Sequence, residues 1–292
     1  MEKAMAAGLT MTAGLSCDTR VVHGDAIEIL KENSDWKFQL VFADPPFNIG
    51  QEYDEHDDKI SDAEYKDWSH EWIGLAANSL TDSGVLVIHG DDDVTELTLP
   101  IARHHQLERI DWVVWHFRFG QCVRSKCIRS KAQATVWRRN GKQHFWNPYA
   151  VATASDRASK YKDPRTKDSQ TPGLRVPLDV WGIPSDGPYF GRVQGNNRER
   201  VSKQNGYLED HPNQLPELYM QRWILGFTNP GDRVLDPFGG TGTTAVVGNA
   251  LGREVTTIEK SQSYVSDIER RISLGAVRIS KDCQQDQGNA CE

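Results

Sequence analysis

The chain has 292 residues, 38% of them hydrophobic and 26% charged, with a formal net charge of -7. That length suits one large α/β domain or two ordinary ones, and the composition excludes a fibrous or membrane-embedded chain. No run approaches the roughly 18–20 apolar residues of a spanning helix. Met1 to Ser16 lacks the basic start and Leu-rich stretch of a secretory leader, so an intracellular location is expected. The five cysteines are odd in number and form no C-x-x-C, which argues against a disulfide framework and a zinc cage.

In chain order, Arg20 to Val22 reads as a short strand that stops at Gly24-Asp25, and Ala26 to Glu32 as a helix of one or two turns. Gln39 to Ala43 is an apolar run of the kind buried in parallel sheets, and it stops at Asp44-Pro45-Pro46, which cannot continue a central strand. Ser61 and Glu64 form a capping box that opens a helix with Tyr65, Trp68, Trp72 and Leu75 on one face, where Trp68 and Trp72 are expected to pack in the core. Gly84 to His89 is a second buried strand, followed by a helix to about His105. Glu108 to His116 and Ala132 to Arg138 read as strands. From Asn140 to Asn213 periodicity fades and Gly, Pro, Asn and basic residues dominate. A helix follows over Gln214 to Phe227, a strand over Arg233 to Leu235, a helix over Thr241 to Leu251, a strand over Glu254 to Ile258 and a helix from Ser261 to about Gly275. Strands alternating with helices at this spacing predict a mostly parallel sheet covered on both faces.

The net charge conceals a segregation. Trp112 to Lys203 holds 18 Lys and Arg against 6 Asp and Glu, and no acid occurs between Trp112 and Ser155. A short charge run is usually a solvated face, but one of some 90 residues interleaved with aromatics reads as a polyanion-binding segment on an acidic scaffold. Arg124, Lys126, Arg138, Arg139 and Lys142 are its candidate phosphate contacts.

Two motifs carry chemistry. Asp236-Pro237-Phe238-Gly239-Gly240-Thr241-Gly242-Thr243 follows a strand and opens a helix, and Glu259 ends the next strand. Glycines there allow close backbone approach, the helix start offers unpaired N–H groups, and an acid at that distance can accept ribose hydroxyls. The loop has neither the G-x-G-x-x-G of a dinucleotide site nor the Gly-Lys-Ser/Thr of a P-loop. The second motif is Asp44-Pro45-Pro46-Phe47. It holds a carboxylate and a carbonyl rigidly beside an aromatic face, an arrangement suited to a flat ring bearing an amino group. His104, His105 and His116 read as surface or strand residues, and Cys122 and Cys127 as ordinary thiols, rather than metal ligands.

Together these loops resemble the catalytic and S-adenosylmethionine motifs of DNA amino-methyltransferases, in the permuted order of the β group. Gly24-Asp25, the Tyr53, Asp54, Tyr65, Trp68 pattern, Asp179-Val180-Trp181, His211 to Glu217 and Arg253 to Tyr264 extend the resemblance over roughly residues 20 to 275. It implies a Rossmann-like class I methyltransferase fold, α/β with a mostly parallel doubly wound sheet and a loop-rich target-recognition insertion. The expected division is a flexible 1–16, a catalytic half over 17–139, target recognition over 140–210, a cofactor-binding half over 211–279 and a disordered tail over 280–292. The resemblance assigns catalysis to Asp44, Pro45, Pro46 and Phe47. It assigns S-adenosylmethionine binding to Asp25, Gln214, Asp236, Pro237, Phe238, Gly239, Gly240, Thr241, Gly242, Thr243 and Glu259, with no metal. Phe47 replaces a commoner Tyr, and Leu215 stands where many relatives have Lys.

The implied reaction is methyl transfer to adenine N6 of a flipped-out base in double-stranded DNA. Cytosine-N4 methylation uses the same geometry, although those relatives more often carry Ser-Pro-Pro-Tyr. Glutamine-N5 methyltransferases resemble Asn-Pro-Pro-Tyr with the cofactor loop first, and a DNA-binding subunit with a decayed site would not need Asp44, Asp236 and Glu259 intact. A homodimer and a cognate restriction endonuclease are the further partners implied, with no membrane association.

Overall fold

The structure is a computed structural model and describes residues 18–50, 52–53, 56–57, 59–117, 131–167, 172–183 and 190–279. Its elements begin with β1 (Thr19–His23), α1 (Ala26–Glu32), β2 (Phe38–Ala43) and a short hairpin of β3 (Glu52–Tyr53) and β4 (His56–Asp57). There follow α2 (Asp62–Asn78), β5 (Leu80–Gly90), α3 (Asp92–His104), β6 (Leu107–Trp115) and β7 (Ala132–Arg139). The loop-rich part holds β8 (Thr153–Ala154), α4 (Asp156–Ser159), β9 (Leu174–Arg175) and β10 (Val180–Trp181). The chain then forms α5 (Glu217–Phe227), β11 (Arg233–Asp236), α6 (Thr243–Ala250), β12 (Glu254–Glu259) and α7 (Gln262–Leu274).

Eight strands form one sheet in the order β1-β12-β11-β2-β5-β7-β6-β10. All neighbours are parallel except at β7, which runs antiparallel to both β5 and β6. The segment 140–210 adds only β10 to this sheet, at its edge beside β6. Alternation along β2 builds both cores. Leu40 and Phe42 pack with Tyr219, Trp223 and Ile224 of α5 and with Ala245 to Val247 of α6. Val41 and Ala43 point the other way, against α1, Trp72 and Ile73 of α2, and Ile101 of α3. With both faces covered, β2 is buried along its whole length, which is why it reads as a continuous apolar run.

The sheet order places β2 beside β11, with Val41 opposite Leu235. From this pair the chain winds outward through β5 on one side and β12 on the other, with helices on opposite faces. Such a reversal opens a crevice beyond the carboxyl ends of the two strands. Asp44 follows β2 directly and Asp236 ends β11, so the fold delivers both sequence motifs to that crevice.

Local chemistry sets the flanking ends. Ser61 accepts the Glu64 N–H at 3.3 Å while the Glu64 carboxylate accepts the Ser61 N–H at 3.1 Å, the capping box expected from the sequence. The helix expected from Gln214 begins at Glu217, because Pro216 serves as its N-cap. The helix expected from Thr241 begins at Thr243, because Gly242 takes the left-handed φ of +70° at its cap. The strand expected from Gly84 starts at Leu80, where Phe38 pairs with it across a register shift. Among the described residues, no helix is long and apolar enough to cross a membrane.

Candidate active site

A cavity of about 830 Å³ occupies the crevice. Its lining includes Asp44, Pro46, Phe47, Asp25 and Asp236 through Thr241, together with Thr243 and Glu259, from both motifs. It also includes Tyr65, Trp68, His89, Phe117, Lys131, Arg192, His211, Asn213 and Tyr264. None of those nine was assigned a cofactor or catalytic role from the sequence: Tyr65, Trp68, His211, Asn213 and Tyr264 fell within the stretches of resemblance without a role attached, and the other four lay outside them.

The glycine loop is held from below. Both oxygens of Glu259 accept backbone donors, from Gly240 at 2.7 Å and Ser261 at 2.8 Å. The carboxylate retains acceptor capacity for a ligand hydroxyl. A side chain at Gly239 would place its Cβ 2.7 Å from Thr257 Oγ1, and one at Gly242 would place it 2.7 Å from Ile268 Cγ2. Phe238 donates its N–H to Asp236 at 3.0 Å and packs on Trp72 and Trp68, with ring centroids 5.4 and 5.5 Å away. Trp68 stacks in turn on Tyr65, whose hydroxyl donates to the Pro46 carbonyl at 2.6 Å. These aromatics tie the two motifs into one unit, so Trp68 lines the cavity while Trp72 alone is fully buried.

A buried Arg271 supports the far side of the loop, a residue that sequence reasoning missed. It donates to the Thr241 carbonyl at 3.0 Å and to Thr243 Oγ1 at 2.9 Å, and pairs with Glu217 at 3.0 Å. Thr243 donates onward to the Leu215 carbonyl at 3.1 Å. Two other sequence candidates are similarly occupied. Asp25 caps α1 through the Ile27 N–H at 2.9 Å, with its other oxygen 3.7 Å from Lys260. Gln214 accepts from the Val201 N–H at 2.8 Å and donates to the Glu199 carbonyl at 2.5 Å, bracing that loop.

Burial sets the electrostatics. Asp44 is pushed well above the usual carboxylate range, first by burial and then by the charge of Asp236. Asp236 is raised to about 6 by burial, against the opposing hydrogen bonds from Thr244 and the Phe238 N–H. Glu259 is raised by burial and restrained by its backbone donors. His89, beside Tyr219 at 3.1 Å, is lowered to about 3 by burial and is neutral. The site therefore holds an excess of buried acid, an environment that favours a cationic ligand.

Three of the candidate phosphate contacts, Arg138, Arg139 and Lys142, lie away from the crevice. Since β7 is antiparallel to β5, Gln133 lies opposite Gly90 and Arg138 opposite Val85. The end of β7 is thus about 17 Å along the sheet from the crevice. Arg138 makes a two-pronged contact with Glu108 at 3.0 and 3.2 Å. Arg139 donates to the Leu80 carbonyl at 2.9 Å, and Lys142 pairs with Asp82 at 3.1 Å. The sequence pattern could not reveal this, since charge along a strand does not say which end meets the ligand. Arg124 and Lys126, with Cys122 and Cys127, lie outside the described residues. Other cations of the basic segment answer acids in their own turn, as Arg157 and Arg165 do Asp163 at 2.7 and 2.8 Å. Asp91, Asp92 and Asp93 bring carboxylate oxygens within 4.8 Å of one another, but Asp91 caps α3 and an acidic turn alone makes no metal site.

A doubly wound sheet with one reversed strand, a glycine loop braced by a ribose-type acceptor and a carboxylate pair at the switch point define a class I methyltransferase fold. The DNA methylase family (N6_N4_Mtase) matches residues 38–270, and the chain belongs to that family. The chain is 28% identical over 265 residues to the DNA adenine methyltransferase YhdJ of Escherichia coli (strain K12), covering 88% of this chain and 83% of that protein. Among solved structures it is similar to the PvuII DNA methyltransferase, cytosine-N4-specific, with a TM-score of 0.64, 17% identity and coverage of 93% and 92%. It is also similar to the M1.HpyAVI–SAM complex, with a TM-score of 0.57, 20% identity and coverage of 87% and 98%.

Proposed function

We propose that the chain methylates adenine N6 in duplex DNA with S-adenosylmethionine as methyl donor. The observation that carries this reading is the meeting of Asp44 and Asp236 at the ends of adjacent strands, each raised in pKa inside one cavity with Phe47 and Glu259 on its wall. The residues present fit the donor. Glu259 offers acceptors for ribose hydroxyls, the glycine loop leaves its backbone open to the cavity, and the buried carboxylates suit a cation. When bound, S-adenosylmethionine supplies an electrophilic methyl group on a positively charged sulfur.

Adenine N6 is a weak nucleophile because its lone pair is delocalised into the ring. Asp44 and the Pro45 carbonyl accept its two amino hydrogens, which favours a pyramidal nitrogen and stabilises the positive charge that develops on it. Burial raises the Asp44 pKa, so Asp44 takes up the proton the methylated nitrogen sheds only when it enters the step ionised, a state that a cationic cofactor beside it would favour. Phe47 stacks on the base, which must leave the duplex to reach this depth. The Tyr65 bond to the Pro46 carbonyl holds the loop while this happens. DNA affinity should fall steeply with salt, because phosphate contacts release counterions.

The carboxylate in the Asp44 position favours adenine over cytosine, and methylome sequencing of DNA from cells expressing the protein tests it. N6-methyladenine in one sequence context supports the reading, and N4-methylcytosine would replace it. A homodimer and a cognate restriction endonuclease belong to the proposal on the resemblance alone. Sedimentation of the purified protein and challenge of the modified DNA with endonucleases test them.

A further inference from the structure

The cavity is electrostatically lopsided. Asp44, Asp236 and Glu259 gather at the ends of β2, β11 and β12. Along another wall, the ring of Phe117 lies under two cations, with Lys131 Nζ 4.6 Å and Arg192 Cζ 5.8 Å from its centroid. Lys131 is spent on the Phe117 carbonyl. Arg192 is half-buried and donates through one nitrogen to Asn213 Oδ1 at 2.6 Å. Among the described residues, no carboxylate pairs with it.

Arg192 also sits on the route to the glycine loop. Asn213 lies between His211, whose Nε2 would be 3.2 Å from a Cβ at Gly240, and Leu215, whose carbonyl accepts from Thr243. The side chain of Leu215 is apolar and supplies no charge to this end of the cavity. A guanidinium fixed by a neutral amide, with the rest of its planar fork unclaimed by any described acid, is matched to a carboxylate.

We propose that Arg192 binds the carboxylate of the cofactor's amino-acid tail, with Asn213 as the residue that orients it. This rests on the S-adenosylmethionine reading above and names the part of that molecule the nucleoside-binding motifs leave unmatched. Glu259 serves the ribose, the buried acids serve the cationic centre, and Arg192 serves the anionic end.

The test compares two ligands that differ only in that end. S-adenosylhomocysteine carries the amino-acid tail, and 5′-methylthioadenosine keeps the nucleoside and thioether without it. Calorimetric titration of wild-type protein, Arg192→Gln and Arg192→Lys with both ligands reads the contact directly. Loss of a charge-assisted hydrogen bond predicts about 10- to 100-fold weaker S-adenosylhomocysteine binding in Arg192→Gln. Affinity for 5′-methylthioadenosine stays unchanged, which also shows that the variant is folded, and Arg192→Lys recovers part of the loss. An equal loss for both ligands would assign Arg192 a structural role and overturn the proposal. Unchanged affinity for both, with a salt slope of DNA binding reduced by about one, would make it a phosphate contact and also overturn it. If wild-type protein bound neither nucleoside, the proposed function itself would fall, and this assignment with it.

Discussion

Asp236→Asn is expected to raise the stability of the ligand-free protein at pH 7.5 while weakening its hold on the cofactor. The carboxyl of Asp236 is 4% exposed and titrates at about 6 rather than 3.8. A folded-state pKa raised above the unfolded value means that the native protein binds the proton more tightly. Between those two values stability therefore falls as pH rises, and above about 6 the loss is complete. Two pKa units correspond to about 3 kcal/mol. Asn keeps an oxygen for the Phe238 N–H but has no charge to bury, so the variant lacks this pH-dependent loss. Urea unfolding of both proteins at pH 7.5 and pH 4 measures it. The advantage of Asn should be about 2–3 kcal/mol at pH 7.5 and under about 1 kcal/mol at pH 4. Equal stabilities at pH 7.5 would refute the reasoning, because Asp236 would then be no more costly to ionise in the cavity than in water. The same logic has the cofactor's positive charge driving a proton off the acid pair near pH 6, seen as binding enthalpies that depend on buffer ionisation.

Three further substitutions probe the supports of the site. Glu259→Gln strands at least one of the backbone N–H groups the carboxylate accepts, so cofactor affinity by calorimetry should drop at least about tenfold. Gly242→Ala combines a φ of +70° with a Cβ 2.7 Å from Ile268 Cγ2, and should lower stability in urea by roughly 2 kcal/mol or more while loosening the glycine loop. Arg138→Ala should lose about 1 kcal/mol of stability with its Glu108 contact and leave DNA affinity and its salt dependence unchanged, measured by fluorescence anisotropy.

How far these features could be read beforehand depended on how local their cause is. The buried run of β2, the capping box at Ser61 and the strand–glycine loop–helix at Asp236 each follow from adjacent residues, and they located both motifs and the layered fold. Element ends were missed where a single backbone group decided them, as at Pro216 and Gly242. The contacts that complete the site from afar were illegible. Arg271 reaches Thr241 across 30 positions and Tyr65 reaches Pro46 across 19. Gln214 was singled out by the resemblance and lines the cavity, but that its amide braces residues 199 and 201 could not be read beforehand. Charge was the least position-specific signal, because the basic stretch included cations that the reversed β7 carries to the far end of the sheet.

Single-turnover methyl transfer by Asp44→Ala tests the central claim most directly. Enzyme in excess over a short duplex carrying the methylated context is mixed with labelled S-adenosylmethionine, and the DNA is digested to nucleosides at each time point. Wild-type protein should yield N6-methyladenine. Because the carboxylate acts most strongly as charge develops on nitrogen, its removal should slow the step by roughly 10²–10³ while DNA affinity changes little. A variant that kept more than about a tenth of the wild-type rate, a change below the ~1.4 kcal/mol of a tenfold effect, would contradict amino-group activation by Asp44.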